Sequence, residues 1–332
     1  MAFEHPFAAY IKILCSKSGL GHSLTLEEAR QAMNDIACYE VEPQQVAAFL
    51  MLIRAKRETP EELAGFAQAL GASIPRPSDP APVAVNWPAY AGKGRQPPWF
   101  ILAALLLGRN GCPVFMHGLS WGDEKIYAAE ALTALGVQPS SMLSQAASGI
   151  RTRGFAYMPI QHISTVVQEL IDYRKLLGLR TPAHSIARML NPFSAPLMLQ
   201  GVRHAHFAPI HQQAASLLGQ EKSLAIRGDG GEFERIPTEP CRLHGLDNGG
   251  CWEEEWPPML ACGPEKTTGR PDLNHFRAVW EGREQDEYAE AAVTGTLALV
   301  LRALGRAGGR EDAHRLAGQW WRARHTEEPA AK

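Results

Sequence analysis

Between residues 25 and 75 apolar positions recur every three to four residues, with short polar breaks between the runs, which is the spacing of amphipathic helices. Thr25-Leu26-Glu27-Glu28 has the form of a capping box and predicts a helix running toward Ala37. Pro43 suits a first helical position, and Val46, Phe49, Leu50 and Ile53 continue from it on one face. Thr59-Pro60-Glu61-Glu62 repeats the cap and opens a third helix through Phe66 and Leu70. Residues 1–75 therefore read as a small helical domain with surplus apolar surface suited to a dimer interface, and nothing in it is catalytic. The proline-rich stretch 74–82 reads as stiff, and places a linker at 76–82.

From residue 83 onward the pattern changes to short apolar runs alternating with helical ones. Strands are expected at Val83–Val85, Pro113–Met116, Phe155–Met158, Leu199–Val202 and Ser223–Ile226. Helices are expected at Trp99–Leu107, up to Gly136, and at Gln161–Leu177, Ser185–Leu190 and Ala208–Leu218. Such alternation predicts an α/β fold: residues 83–332 form a larger domain whose mostly parallel sheet is flanked by helices, with sites at the C-terminal ends of its strands. The glycine-bearing loop at 90–95, His117-Gly118 and Arg227-Gly228-Asp229 all follow strands and can converge there. Beyond Pro237 the pattern weakens; Glu290–Leu304 reads as a closing helix and Gln319–Lys332 as a frayed tail.

Composition narrows the class. Hydrophobic residues make up 45% of the 332, enough to bury a core. No apolar run reaches the roughly 18 residues that span a bilayer, and the N-terminus lacks a signal-peptide pattern, so a cytoplasmic protein without membrane contact is expected. Six cysteines include no C-x-x-C pair, which argues for free thiols and against zinc. The net charge of -2 conceals an asymmetry: residues 86–203 carry 11 Lys/Arg against 5 Asp/Glu, whereas 221–290 carry 8 against 16. A positive segment of this kind can focus an anionic partner into a cleft.

That segment contains Tyr90-Ala91-Gly92-Lys93-Gly94-Arg95, a glycine loop leading into a helix. It can offer N–H groups and two cations to a phosphate, but holds no Asp, Glu, Ser or Thr for a magnesium ion. Lys93 and Arg95, with Gly92 and Gly94, are the first candidates for phosphate contact. Arg174 and Lys175 on a helix face, and Arg151 and Arg153 before Gly154, are candidates to extend a basic track, with Arg180, Arg188 and Arg203 as weaker members. Tyr90, Trp99 and Trp121 are positioned either to stack bases or to fill core. His117 is either a structural residue supporting the turn at Gly118 or a ligand contact. Asp229, Glu232 and Glu234 could hold a metal, but lack a partner loop.

Taken jointly, several segments resemble the anthranilate phosphoribosyltransferase family over nearly the whole chain. They are Leu26–Ala29 through Ala47–Met51, Lys56–Glu62, Met116-His117-Gly118, Glu130–Leu132 with Ala134–Val137, and Arg174–Thr181. The resemblance implies a nucleoside phosphorylase/phosphoribosyltransferase-like fold, a homodimer formed through the helical domain, and phosphoribosyl diphosphate with magnesium as ligands. It also implies a substrate-side arginine at Arg174. Three departures cluster in the site. The family's Gly-Thr-Gly-Gly-Asp-Gly loop is replaced by Tyr90–Arg95, its Lys-His-Gly-Asn by Met116-His117-Gly118-Leu119, and its Asp-Glu metal pair by Phe233-Glu234. This pattern, with Gly231-Glu232-Phe233, is similar to the divergent YbiB-type branch, whose members are regarded as nucleic-acid-binding proteins.

Two functions are expected to compete, with a small-molecule sensor that uses the vestigial pocket as a third class. The first is a scaffold without catalytic residues, metal or cofactor, binding DNA or RNA without sequence preference through a basic cleft. The second is an active phosphoribosyltransferase that uses phosphoribosyl diphosphate, magnesium and an unknown acceptor.

Overall fold

The computed structural model describes residues 4–17, 19–77, 79, 81–120, 125–264 and 269–325. The chain begins with helix α1 (Ala8–Leu14), a short antiparallel pair β1 (Cys15–Ser16) and β2 (Gly19–Leu20), and helices α2 (Leu26–Ala37), α3 (Pro43–Lys56) and α4 (Pro60–Ser73). Both threonine capping boxes form: Thr25 and Thr59 accept from the N–H of Glu28 and Glu62, whose carboxylates take the Thr25 and Thr59 N–H in return. A third box, from Glu42 and Gln45, brackets Pro43 at the start of α3.

Next come β3 (Val85–Ala89), α5 (Phe100–Arg109), β4 (Val114–Gly118), α6 (Ala128–Ala134), α7 (Leu143–Arg153), β5 (Phe155–Pro159), α8 (Thr165–Leu177), α9 (Ala183–Arg188), β6 (Leu197–Val202), α10 (Phe207–Leu217) and β7 (Lys222–Arg227). A hairpin of β8 (Cys241–Asp247) and β9 (Gly250–Trp256) precedes α11 (Leu273–Trp280), α12 (Glu287–Ala303) and α13 (Arg310–Ala323). The sheet order is β5-β4-β3-β6-β7-β8-β9, parallel through β7 and antiparallel for the last two strands.

Successive residues of the parallel strands serve two separate cores. Val85, Trp87, Val114, Met116, Leu197 and Leu199 face α5 and α12, while Phe115, Ala156, Met158 and Met198 belong to a second core shared with α7, α9, α10 and the N-terminal helices. Both faces are thus covered, and the strands read as continuous apolar runs. The helical layer is not confined to residues 1–75. Helices α8 and α9 join its core through Val167, Leu170, Ile171 and Ile186, and Tyr173 donates its hydroxyl to Pro43 O at 3.2 Å.

Three expectations need correction. The strand before the glycine loop runs Val85–Ala89 instead of ending at Val85, because Pro88 obscured it. Proline is tolerated there since pairing with β6 stops at Asn86, so no ladder N–H is missed on that side. The hairpin at 241–256 escaped notice, although Asn248-Gly249 between alternating runs is a hairpin turn signal. Gln319–Ala323 belong to α13 and are not frayed: Trp321 is buried and Arg324 stacks on its ring at 3.7 Å. Residues 326–332 lie outside the described ones.

On one edge of the sheet, β9 carries Glu253-Glu254-Glu255; on the other, Ser140 N–H closes off Tyr157 O of β5 at 2.8 Å. Among the described residues, no helix is long and apolar enough to cross a membrane.

Candidate anion-binding site

From β3 the chain moves outward to β4 and β5, then returns to place β6 on the other side of β3. A crevice opens at such a switch point, above the C-terminal ends of the strands. The three loops expected to converge do meet there. The turn after β7 packs on the glycine loop, so that a Cβ on Gly230 would lie 3.4 Å from Gly92 O. Gly118 ends β4 so close to β3 that a Cβ would fall 1.9 Å from Ala89 O, which makes it a packing residue.

The glycine loop is not the exposed cationic loop that its sequence suggested. Gly94 and Arg95 are exposed, but Gly92 and Lys93 are buried. The Lys93 ammonium bonds to Asp229 and, at 2.5 Å, to Glu234 Oε1. Burial would lower the Lys93 pKa, but Glu234 and Asp229 outweigh it and hold the amine above its ordinary value. Burial pushes Glu234 up to about 7 against the pull of Lys93, and its second oxygen accepts the Phe100 N–H at 2.7 Å. Lys93 thus takes the space between two carboxylates that a divalent ion bridging them would need. Among the described residues no group of three or more His, Cys, Asp or Glu is arranged to hold one.

The N–H groups of the loop point where the sequence predicted, but at a protein oxygen. Ala91 and Gly92 both donate to Glu232 Oε1 at 2.6 Å. Around this carboxylate stand cations from four segments. Lys125 donates to Ala91 O at 2.9 Å and Gly92 O at 3.3 Å, and Arg180 donates to Ala91 O at 3.1 Å. Buried Arg188 donates to His184 O at 2.7 Å and reaches Gly231 O at 3.5 Å. Arg203 lies against Gly231, and Arg174 is within electrostatic range of both Lys125 and Arg180. Burial first, then Arg180, Arg203 and Arg174, lower Lys125 to about 8, with Glu232 opposing. Burial likewise lowers Arg188 to about 10, again opposed by Glu232.

The remaining candidates separate clearly. Arg174, Arg180 and Arg203 join this cluster. Lys175 is exposed one position beyond Arg174 and pairs with Asp172 at 2.9 Å. Arg151 and Arg153 do not extend the track: they close α7, at the entry to β5, on the opposite end of the sheet, and Arg151 pairs with Asp79 at 2.8 Å. Tyr90 and Trp99 are fully buried and are core, not base-stacking platforms; Trp121 lies outside the described residues. His117 is buried, takes part in a 2.7 Å bond with the Tyr90 hydroxyl, and is driven down to about 3 by burial, so it carries no charge for an anion. Lys125 was missed because Asp123 and Glu124 precede it, and a mixed-charge run reads as a solvated loop.

Comparisons with known proteins agree with this architecture. A family model described as "Glycosyl transferase family, helical bundle domain" matches residues 9–73. The anthranilate phosphoribosyltransferase of Methylocella silvestris is 29% identical over 315 residues, covering 92% of this chain and 89% of that protein. That of Beijerinckia indica is 28% identical over 300 residues, covering 88% and 87%. Among solved structures, anthranilate phosphoribosyltransferase from Thermus thermophilus superposes with a TM-score of 0.79 at 21% identity, covering 97% of this chain and 95% of that one. The Saccharomyces cerevisiae enzyme in complex with PRPP and Mg gives 0.76 at 16% identity, covering 96% and 94%.

Proposed function

Starting from a chain whose homologues, helical-domain match and fold together support the anthranilate phosphoribosyltransferase family, we propose that it uses this scaffold to bind nucleic acid without sequence preference and does not catalyse magnesium-dependent phosphoribosyl transfer. The observation that carries this reading is the pairing of Lys93 with Asp229 and Glu234 beside a rim of Lys125, Arg174, Arg180 and Arg203. A magnesium ion needs carboxylate oxygens free to coordinate. Here both oxygens of Glu234 are engaged and an ammonium supplies the positive charge. Lys93 already fills the gap between Asp229 and Glu234, so this pair does not fit the metal and no step through it is derived. Without that ion, transfer loses the main stabilisation of a diphosphate leaving group.

The rim suits repeated phosphates better than one ligand. Arg174 and Arg203 are exposed, and the arginines offer planar forks to phosphate oxygens. Contacts of this kind are blind to base identity. The chain forms a homodimer through its helical layer in this reading. Tyr39 at 65% and Leu176 at 82% exposure leave apolar surface on neighbouring elements, joined by the bond from Tyr39 to Glu169 of α8. On this reading the chain is grouped with the YbiB-type branch that its sequence resembles.

An active transferase is the second reading, favoured by the 29% identity to an enzyme over 92% of the chain. One experiment separates the two. Fluorescence anisotropy with unrelated single-stranded oligonucleotides should show similar affinities that fall steeply with salt, as expected when several phosphates are bound. Phosphoribosyl diphosphate, magnesium and anthranilate should give no turnover with the same preparation. Turnover without oligonucleotide binding would overturn the proposal.

A further inference from the structure

Glu232 is an unusual side chain to find in a basic cleft. It is 2% exposed, and the two loop N–H groups converge on one of its oxygens, while Oε2 is buried with no hydrogen-bond partner. Adjacent N–H groups aimed at one point form a concavity for an anion, and a cluster of cations above it strengthens that preference. Here the anion is part of the protein. Its placement does not depend on those bonds alone, because the backbone of Glu232 is threaded between two glycines. A Cβ on Gly228 would lie 1.8 Å from Glu232 O, and one on Gly201 would lie 2.2 Å from Glu232 C. The turn from Gly228 to Glu234 is further closed by Asp229 N–H to Glu234 O at 2.9 Å. The carboxylate is therefore delivered to the loop by the packing of β6 and the turn after β7.

We propose that Glu232 is a resident anion that sets the ligand class of the cleft, excluding compact phosphate and diphosphate groups from the loop N–H cradle and leaving only the outer cations to a phosphodiester chain. A free diphosphate gains most from a cradle of N–H donors, since its oxygens can enter the concavity. To do so it must displace a carboxylate that already holds those donors, and it meets the like charge of Oε2. A nucleic-acid backbone carries one charge per phosphate, spread along a strand, and can lie across Lys125, Arg174, Arg180 and Arg203 without entering. This inference rests on the reading of the rim cations as phosphate-binding groups, and adds the reason why the inner site is closed.

Removing the side chain should open the cradle. Calorimetric titration of inorganic diphosphate, without magnesium, into Glu232→Ala should show binding at least about tenfold tighter than to the unaltered protein, the scale of a charge-assisted hydrogen bond or two. Glu232→Gln retains an oxygen for the two N–H groups but removes the charge, and should tighten diphosphate by about threefold, less than the alanine variant. Circular dichroism and thermal unfolding establish that each variant is folded; if the alanine variant does not fold, the glutamine variant decides. Unchanged diphosphate affinity in a folded Glu232→Ala, or in Glu232→Gln where that is the deciding variant, would overturn the proposal. A single-stranded oligonucleotide is titrated in parallel, and the preference for diphosphate over oligonucleotide should rise in Glu232→Ala. Failure of the unaltered protein to bind oligonucleotide would remove the nucleic-acid reading alone, because the role of Glu232 is read from diphosphate.

Discussion

The Lys93 ammonium lies 2.5 Å from Glu234 Oε1, and the two side chains are 2% and 0% exposed. A pair this deep is held by the fold and is poorly screened by salt. Removing one partner leaves the other buried and unpaired, which costs about 3–5 kcal/mol. Lys93→Met should therefore lower the urea midpoint strongly at an unchanged m-value. Lys93→Met combined with Glu234→Gln should recover much of the stability, since the fully buried Glu234 charge is then gone and Asp229, the other partner of Lys93, is partly open to water. Equal destabilisation by the single and double variants would show that the pair is not the source of the effect.

The rim and the far end of the sheet make a matched comparison. Arg174→Ala with Arg203→Ala should weaken single-stranded DNA binding and reduce the slope of log K against log salt by roughly 0.7 for each phosphate no longer neutralised. Arg151→Ala with Arg153→Ala changes the net charge equally but lies at the entry to β5, and should leave the slope unaltered. Anisotropy titrations at four salt concentrations check both.

Lys125 is lowered to about 8 by burial and by its arginine neighbours. Its charge is therefore complete near pH 6.5 and mostly gone by pH 9, well below where a free lysine titrates. Oligonucleotide affinity should fall across that interval, and in Lys125→Met the affinity should be lower and flat over the same range. A bound polyanion stabilises the ammonium, so the midpoint of the fall should sit above 8 at saturating ligand.

His117, His184 and His211 are each driven down to about 3, by burial first in every case. Folded values below the unfolded one mean that the unfolded chain binds protons which the native chain refuses, so stability is present above about pH 6.5 and is lost as pH falls. At pH 5 each histidine costs about 2 kcal/mol, a large part together of an ordinary folding free energy. Urea midpoints should drop steeply between pH 7 and 5, and His211→Gln, the residue bonded to Gln200 at 2.6 Å, should reduce the steepness.

Much of the fold was legible because local signals agreed with the packing. The capping boxes at Thr25 and Thr59 fixed helix starts, and short apolar runs marked the buried parallel strands. Pro88 and the 241–256 hairpin were obscured, the first by a residue that ordinarily breaks strands and the second by its polar outer face. The site was legible as a place, since the loops after β3, β4 and β7 were expected to meet. It was not legible as chemistry. Nothing local indicates that Lys93 turns inward to residues 136 and 141 positions away, or that Glu232 fills the N–H cradle of Ala91 and Gly92. Such pairings depend on β7 lying two strands from β3, which only the folded topology determines.

The run Glu253-Glu254-Glu255 on the outermost strand has a bearing on how copies of the chain can meet. An edge strand offers unpaired N–H and C=O groups to any passing strand, and strands joined there would lie about 4.8 Å apart. Two copies approaching through β9 would set glutamate against glutamate at that spacing, where like charges repel, though the pairs of Glu253 with Arg242 and of Glu254 with Arg302 ease the repulsion at those two positions. Growth by sheet extension through β9 is thus opposed by charge, and the strand that closes this side of the sheet carries its own guard against open-ended pairing.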